Sequence, residues 1–224
     1  MNVKARRPYD ASRRRVQAGR TRADILAAAR RRFLADGYPA TTIAAIAADS
    51  GASVENIYKS FGGKARLVKA VFDAALVGDA PEPMDTVAQQ ISTSEHDAKA
   101  RLRSFGSLVA DIGPRVAPLA LLVRDAAATD RELAQVWDQL NAERLARMTL
   151  HAQRLYDDGL LRPDITMQEA RDVLWAFCSP EVYDLFVQRQ GWTTSRFGQW
   201  VAEAYIAALL PPQESPPHPN RRRR

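Results

Sequence analysis

The sequence predicts an all-α protein, and three observations support this prediction. Ala and Leu are abundant among the 224 residues and β-branched runs are scarce, a composition that favours helix over sheet. Apolar residues recur at helical spacing along most of the chain. Gly and Pro interrupt this pattern where helices would end. We therefore expect a small three-helix head with a helix-turn-helix motif and a larger helical domain behind it.

Charge is unevenly distributed between these two parts. Residues 1–76 contain 15 Lys and Arg against 6 Asp and Glu, whereas residues 77–220 contain 13 against 20, and residues 221–224 are all Arg. A basic head on an acidic body predicts that the head meets a polyanion. Charge alone leaves open that the basic segment is only a solvated arm without a partner.

Breaks in the apolar pattern divide the chain into segments. Residues 1–19 lack apolar periodicity and are predicted to form a flexible basic arm. Residues 20–76 form the predicted head, and residues 77–210 form the larger domain. The Pro-rich, basic tail at 211–224 is expected to be disordered.

The larger domain is predicted to contain six helices. They span 84–91, 98–112, 115–128, 130–156, 167–190 and 193–210. Gly113-Pro114 is expected to end the second of these helices, and Asp130 is expected to cap the fourth. Gly191 should end the fifth.

A helix-turn-helix is predicted within the head. The first helix should end at Gly37, and Thr41-Thr42 should open the second, where a hydroxyl can cap free N–H groups. Gly51 tolerates the positive φ of a tight turn, and Ser53 should cap the third helix, over 54–60. Its Ile57 and the following Phe61 should face inward, so that the polar side faces the DNA major groove.

The stretch from Ile25 to Phe72 resembles the N-terminal domain of the TetR (tetracycline-repressor-like) family. The matching residues are Phe33, Gly37-Tyr38, Thr41-Thr42, Ile46-Ala47, Gly51, Asn56-Ile57-Tyr58, Phe61, Lys64 and Leu67. Gly62-Gly63 and Glu55 depart from the family pattern. These departures leave the fold intact but affect which DNA sequence is read.

The resemblance implies a DNA-binding site on the head. Its residues would be Thr42, Ser53, Val54, Glu55, Asn56, Tyr58, Lys59 and Lys64. Thr42 and Tyr58 would contact phosphate, and Lys64 would clamp the DNA backbone. The exposed residues of the third helix would face base edges or adjacent phosphates. The alternative is that Tyr58 is a core aromatic and Lys64 a solvated cap.

The resemblance also implies that the larger domain binds a small molecule and dimerises. Candidate pocket residues are Phe105, Trp137, His151, Trp175, Cys178 and Tyr183, and the alternative is that they are simply core. An apolar pocket would suit a lipophilic or aromatic effector. Candidate dimer-interface residues on the last two helices are Leu174, Val182, Phe186, Phe197, Trp200, Val201 and Tyr205.

These expectations combine into a function. The chain should be a cytoplasmic, homodimeric transcriptional regulator, by family habit a repressor, bound to a near-palindromic operator in double-stranded DNA. Effector binding would favour a spacing of the two heads that no longer matches successive major grooves.

Other classes of function have less support in the sequence. The three histidines, His96, His151 and His218, are scattered and give no metal-ligand spacing with Cys178, which has no nearby base. We expect no catalytic residue, metal or cofactor. The charged N-terminus does not resemble a signal peptide, and no run approaches the roughly 18 apolar residues of a membrane span. A helical scaffold without ligand control is the remaining alternative.

Overall fold

The computed structural model describes residues 9–78 and 97–212, and all regular elements in those ranges are helices. The prediction of an all-α fold is confirmed. The helices are α1 Tyr9–Ala40, α2 Ile43–Ser50, α3 Val54–Phe61, α4 Lys64–Val77, α5 Ala98–Ala127, α6 Arg131–Asp157, α7 Met167–Phe177, α8 Pro180–Tyr183, a π-helical segment Asp184–Arg189, and α9 Thr194–Leu209. The predicted helix at 84–91, the arm before residue 9 and the tail after residue 212 lie outside the described residues.

Packing groups the described residues into two units. The first unit contains residues 9–78 and 114–141, and the second contains residues 97–113 and 142–212. Residues of α5 and α6 are therefore found in both units. The predicted division into domains at residue 76 remains a prediction.

The core of the first unit joins α1 to α4 with residues 114–141. Its buried side chains include Ile25, Phe33, Ile46, Ile57, Leu67, Leu119, Val123, Leu133 and Val136. These residues recur at helical spacing on each element, so each helix turns one apolar side inward. The helix-turn-helix head therefore packs against residues 114–141, which the sequence pattern had placed in the larger domain.

Helix α1 is longer than the sequence predicts at its N-terminus. It begins at Tyr9, so residues 9–19 of the expected flexible arm are helical. Residues 15–20 are exposed, so packing does not hold this part of the extension. Extending an existing helix is easier than nucleating one, and Ala, Arg and Gln favour it. The break predicted at Gly37 is present, with φ 78° and ψ 167°, a backbone conformation that is almost exclusive to glycine.

The two predicted helices at 98–112 and 115–128 are instead one helix, α5, which continues through Pro114 and Pro118. Gly113 does not end the helix. A Cβ placed there would lie 2.5 Å from the ring of Tyr183, so this glycine permits a close approach. By length and composition α5 could cross a membrane, but apolar core helices pass the same test.

The prediction of one helix over 167–190 is also wrong, because these residues form three elements, α7, α8 and the π-helical segment. Ser179 accepts a hydrogen bond from the N–H of Val182 and starts a new helix with Pro180 in its first turn. Proline suits that first turn but lacks the N–H needed to continue α7. The caps predicted at Asp130 and the range of the last helix agree with the structure.

Aromatic rings fill much of the second unit. Phe186 lies 4.6 Å from both Trp192 and Trp200 between ring centroids, and Tyr183 meets Phe197 edge-on at 5.5 Å. Beside this aromatic cluster, α5 and α9 cross at Gly106 and Gly198, where a Cβ on either residue would approach a backbone oxygen within 2.5 Å. The two helices can cross this closely only because both residues lack side chains.

Candidate DNA-binding site

Caps and a glycine turn set the geometry of α2 and α3. The hydroxyl of Thr42 accepts from the N–H of Ala45 at 3.1 Å, and that of Ser53 accepts from Asn56 at 3.1 Å. Gly51, between the two helices, has φ 67° and ψ 12°. The predicted helix-turn-helix is therefore present, with each helix started by a side-chain cap.

Helix α3 turns a polar side outward. Ile57 and Phe61 are buried, whereas Val54 is 41% exposed and Tyr58 52% exposed. Glu55, Lys59 and Ser60 are also exposed, and Asn56 is half-buried, accepting a hydrogen bond from Ser60 at 3.2 Å. Tyr58 is thus not a core aromatic. The outward side offers a carboxylate, an ammonium, hydroxyls and an apolar valine, all groups that base edges or phosphates can engage.

An ion pair fixes the C-terminal half of α2 to α1. The guanidinium of Arg32 donates to both carboxylate oxygens of Asp49, at 2.6 and 2.9 Å, and to Asp36 at 3.2 Å. The hydrogen bond from Arg32 lowers the pKa of Asp49, and the same bonds raise the pKa of Arg32. Because the pair is largely exposed, its geometry orients α2 more than it stabilises the fold.

The ammonium of Lys64 is directed into the protein. It donates to the backbone carbonyls of Tyr38 at 2.9 Å and Thr41 at 3.0 Å, and it lies 4.1 Å from the centroid of the Tyr38 ring. Burial lowers the pKa of Lys64. Lys64 is therefore not a solvated cap. Its contact with DNA remains a prediction. The family resemblance on which that prediction rests did not indicate these internal bonds.

Two further cations lie beside the end of α3, and sequence reasoning missed both. The guanidinium of Arg22 lies 4.4 Å from the centroid of the Phe61 ring. The side chain of Arg66 lies against Gly62, where a Cβ would come within 3.0 Å of its guanidinium. Both cations could be found only from the tertiary contacts.

The candidate pocket residues are not gathered in one place. Trp137 belongs to the first unit and packs against the head core, whereas the other five lie in the second unit. Phe105 and His151 are both buried, with ring centroids 4.3 Å apart. Burial lowers the pKa of His151 from 6.5 to about 4.

The three remaining pocket candidates contact other core groups. The thiol of Cys178 is 3.6 Å from the carbonyl oxygen of Trp175, and burial raises its pKa. Tyr183 packs against Gly113. A groove of about 550 Å³ lies elsewhere in the second unit, and it is lined by Arg103, Ser107, Ala110, Asp111, Thr194, Ser195, Gly198, Gln199, Ala202 and Glu203. None of the six candidate pocket residues named above lines it.

The candidate interface residues separate into two groups. Leu174, Phe197, Val201 and Tyr205 are at most 2% exposed, so they lie inside the subunit and cannot contact a second copy on its surface. Their helices turn the larger apolar sides toward the subunit's own core. Val182, Phe186 and Trp200 are partly exposed and remain interface candidates.

The caps, the glycine turn and the packing of α2 and α3 define a helix-turn-helix head. Residues 25–71 match the family model described as bacterial regulatory proteins, tetR family. The match covers the helix-turn-helix head of this chain, which is therefore similar to a domain of that family. No curated protein matches the sequence.

Solved structures of several regulators are similar in fold to this chain. NalD, the secondary repressor of the MexAB-OprM multidrug efflux pump in Pseudomonas aeruginosa, is 17% identical with a TM-score of 0.69, over 87% of this chain and 98% of NalD. FadR from Bacillus subtilis in complex with stearoyl-CoA is 16% identical with a TM-score of 0.67, over 83% and 97%. The fatty acid degradation regulator FadR from Bacillus halodurans is 15% identical with a TM-score of 0.68, over 82% and 97%.

Proposed function

We propose that this chain is a homodimeric, sequence-specific DNA-binding repressor that leaves its operator when a small lipophilic or aromatic ligand binds. The observation that carries the DNA-binding part is α3. Buried Ile57 and Phe61 hold the helix, Ser53 caps it, and its polar side faces solvent. A helix presented in this way is what a major groove admits.

The start of α2 supports a phosphate contact next to this helix. Thr42 is exposed at the N-terminus of α2, where the first N–H groups of a helix and its dipole favour an anion. Tyr58 can add its exposed hydroxyl. We therefore assign phosphate binding to Thr42 and Tyr58, and sequence reading to Val54, Glu55, Asn56 and Lys59.

Selection of bound DNA from a random pool tests sequence-specific binding, and the enriched sites should be near-palindromic. In a binding titration against salt, Lys59→Ala should reduce the slope of log K against log salt by about 0.9, the value of one lost phosphate contact, if Lys59 contacts phosphate. If it reads a base, affinity should fall at one operator position. The control is Arg131→Ala, which removes an exposed cation on α6 and should change neither the salt slope nor the preference at any operator position. Failure to enrich any sequence would contradict the proposal.

Dimerisation is supported by apolar side chains left open to solvent near the C-terminus. Leu185 is 53% exposed, and Val182, Phe186 and Trp200 are partly exposed. We expect sedimentation to show a dimer at micromolar concentration and Leu185→Glu to weaken it. Leu150→Glu, at a leucine that is 64% exposed on α6, is the matched control. A wild-type protein that stays monomeric would contradict this part.

The ligand is proposed as lipophilic or aromatic because the second unit is rich in rings, and an apolar site selects such molecules. The Bacillus subtilis FadR structure contains stearoyl-CoA, which is consistent with a lipophilic effector for this fold. Thermal shift with long-chain acyl-CoAs, free fatty acids and planar aromatics should give stabilisation by one class. The same compounds should release DNA, since a ligand shifts only an equilibrium whose states it binds unequally. Stabilisation without release would contradict ligand control.

A further inference from the structure

Lys64 connects two parts of the first unit that are distant in sequence. It is the first residue of α4, and its ammonium donates to the carbonyl oxygens of Tyr38 and Thr41, residues that precede α2. The aromatic ring of Tyr38 covers one side of the ammonium at 4.1 Å. Two of the three N–H donors of the ammonium are therefore used within the protein.

The turn that receives these bonds leads directly into α2. The hydroxyl of Thr41 donates to the carbonyl oxygen of Gly37 at 2.7 Å, and Thr41 is only 1% exposed. The carbonyl of Thr41 belongs to the peptide that joins it to Thr42, the cap of α2. When Lys64 holds this carbonyl, it fixes the peptide plane from which α2 begins.

We propose that Lys64 is a positioning residue for DNA binding, which holds the turn at 38–41 so that Thr42 and the N-terminus of α2 face the phosphate backbone. This proposal rests on the proposed function, because it assigns a role within that DNA-binding site. Lys64 acts through Thr42, and its ammonium binds carbonyl oxygens of the protein itself.

The charge of Asp130 also acts on Lys64 and on Tyr38. Asp130 belongs to the first unit, and its carboxylate accepts from the N–H groups of Glu132 and Leu133 at the start of α6. Its charge raises the pKa of both Lys64 and Tyr38, although burial has the larger effect on each. The turn before α6 thus adds an electrostatic contact to the group that positions α2.

Salt dependence separates positioning from direct contact. Lys64→Met keeps the aliphatic stem but removes the donors and the charge. We expect roughly tenfold weaker operator binding and a salt slope that changes by less than about 0.3. Lys59→Met, an exposed lysine on α3, is the matched loss of charge. A Lys64→Met slope reduced by about 0.9 would mean a phosphate contact and would overturn the proposal.

Hydrogen exchange of the free protein tests the same idea without DNA. In Lys64→Met, exchange of the Ile46 amide, which bonds to the Thr42 carbonyl, and of the Ala45 amide should rise roughly tenfold, with amides of α1 unchanged. Unchanged exchange at α2 would overturn the proposal. If the wild-type protein binds no DNA, the proposed function fails, while this measurement still decides whether Lys64 holds α2.

Lys64→Arg decides the question if the methionine variant does not fold. Arginine keeps the charge and binds phosphate at least as well. Its planar guanidinium does not, however, reproduce the geometry in which the single nitrogen of Lys64 donates to two carbonyls. A positioning role predicts that Lys64→Arg still binds DNA roughly tenfold more weakly than wild type. Wild-type affinity in Lys64→Arg would favour a direct phosphate contact and would overturn the proposal.

Discussion

The two units of this protein differ in what fills their cores and in which polar groups they bury. The first unit packs mainly aliphatic side chains, such as Ile25, Ile46 and Leu67, around the stacked pair Phe33 and Tyr38. The second unit brings together aromatic rings from its last three helices and the π-helical segment, with centroids 4.6 to 6.4 Å apart. It also buries a histidine, His151.

The two units also differ in where some of their polar groups are placed. In the first unit, hydroxyls and cations serve the ends of helices α2 to α4, so backbone donors and acceptors are placed at defined points of the surface. The second unit also caps helices with hydroxyls, and it uses one hydroxyl inside the fold, where that of Tyr205 donates to the carbonyl of Leu174 at 2.9 Å. Of the two units, the second is the one expected to respond to mild acid, because it buries His151.

The largest effect is expected from removing a ring of the aliphatic core. Phe33 is 0% exposed, so Phe33→Ala should destabilise the first unit by about 3–5 kcal/mol, through lost burial and the cavity left behind. Urea denaturation followed by hydrogen exchange in α1 to α4 measures this loss. Leu34→Ala, at the neighbouring residue that is 38% exposed, should cost much less. Equal losses in the two variants would contradict the assigned core.

Mild acid should act on the second unit through His151. Burial lowers its pKa from 6.5 to about 4, with Arg154 and Arg147 contributing in the same direction. The unfolded chain binds a proton near pH 6.5 and the folded unit does not. Stability is therefore fully present above pH 6.5 and falls as pH drops toward 4, by roughly 3 kcal/mol in total.

A variant without His151 isolates this effect. His151→Leu keeps an apolar side chain against Phe105, so its second unit should lose little stability between pH 6.5 and 4.5. Denaturant unfolding at several pH values, read by hydrogen exchange in α7 and α9, gives the comparison. If the variant and the wild type lose stability in parallel, other groups cause the acid sensitivity and the prediction for His151 is wrong.

Prediction from sequence also succeeded unequally in the two units. The helix-turn-helix could be predicted because its signals are local: Thr42 and Ser53 cap the helices, and Gly51 makes the turn. The exposure of Tyr58 fits the role that the family resemblance implied, whereas a core position had been the alternative. What could not be predicted was the partner of Lys64, because a bond to carbonyls 26 and 23 residues away has no sequence signal.

The second unit was less predictable because its signals are tertiary. Gly113 and Pro114 have the pattern of a helix end, but α5 continues through them, and Gly113 instead leaves room for the ring of Tyr183. Large apolar residues predicted at a dimer interface, Phe197 and Tyr205, are buried within the subunit instead. Helical periodicity identifies an apolar side, but it does not say whether that side faces the same chain or a second one.

A glycine contact gives the next prediction. A Cβ at Gly198 would lie 2.5 Å from the carbonyl oxygen of Gly106 and 2.7 Å from the Cβ of Ala110. Gly198→Ala should therefore separate α5 from α9 and destabilise the second unit by about 1–3 kcal/mol. Gly19→Ala, at a helical glycine of α1 with nothing within 4 Å, should instead stabilise by about 0.5–1 kcal/mol. Thermal unfolding that moves in the same direction in both variants would contradict the close crossing.

The smallest effects compare one kind of helix cap in the two units. Ser53 caps α3 in the first unit, and Thr166 caps α7 in the second, where Glu169 completes a capping box. Because the cap chemistry is the same, Ser53→Ala and Thr166→Ala should each destabilise their own unit by about 1 kcal/mol. Their effects on DNA should differ, since only α3 is proposed to enter the groove. Operator affinity, measured by anisotropy well below either melting temperature, should fall in Ser53→Ala alone. An equal fall in Thr166→Ala would mean that DNA affinity follows the stability of the whole chain, and not the placement of one helix.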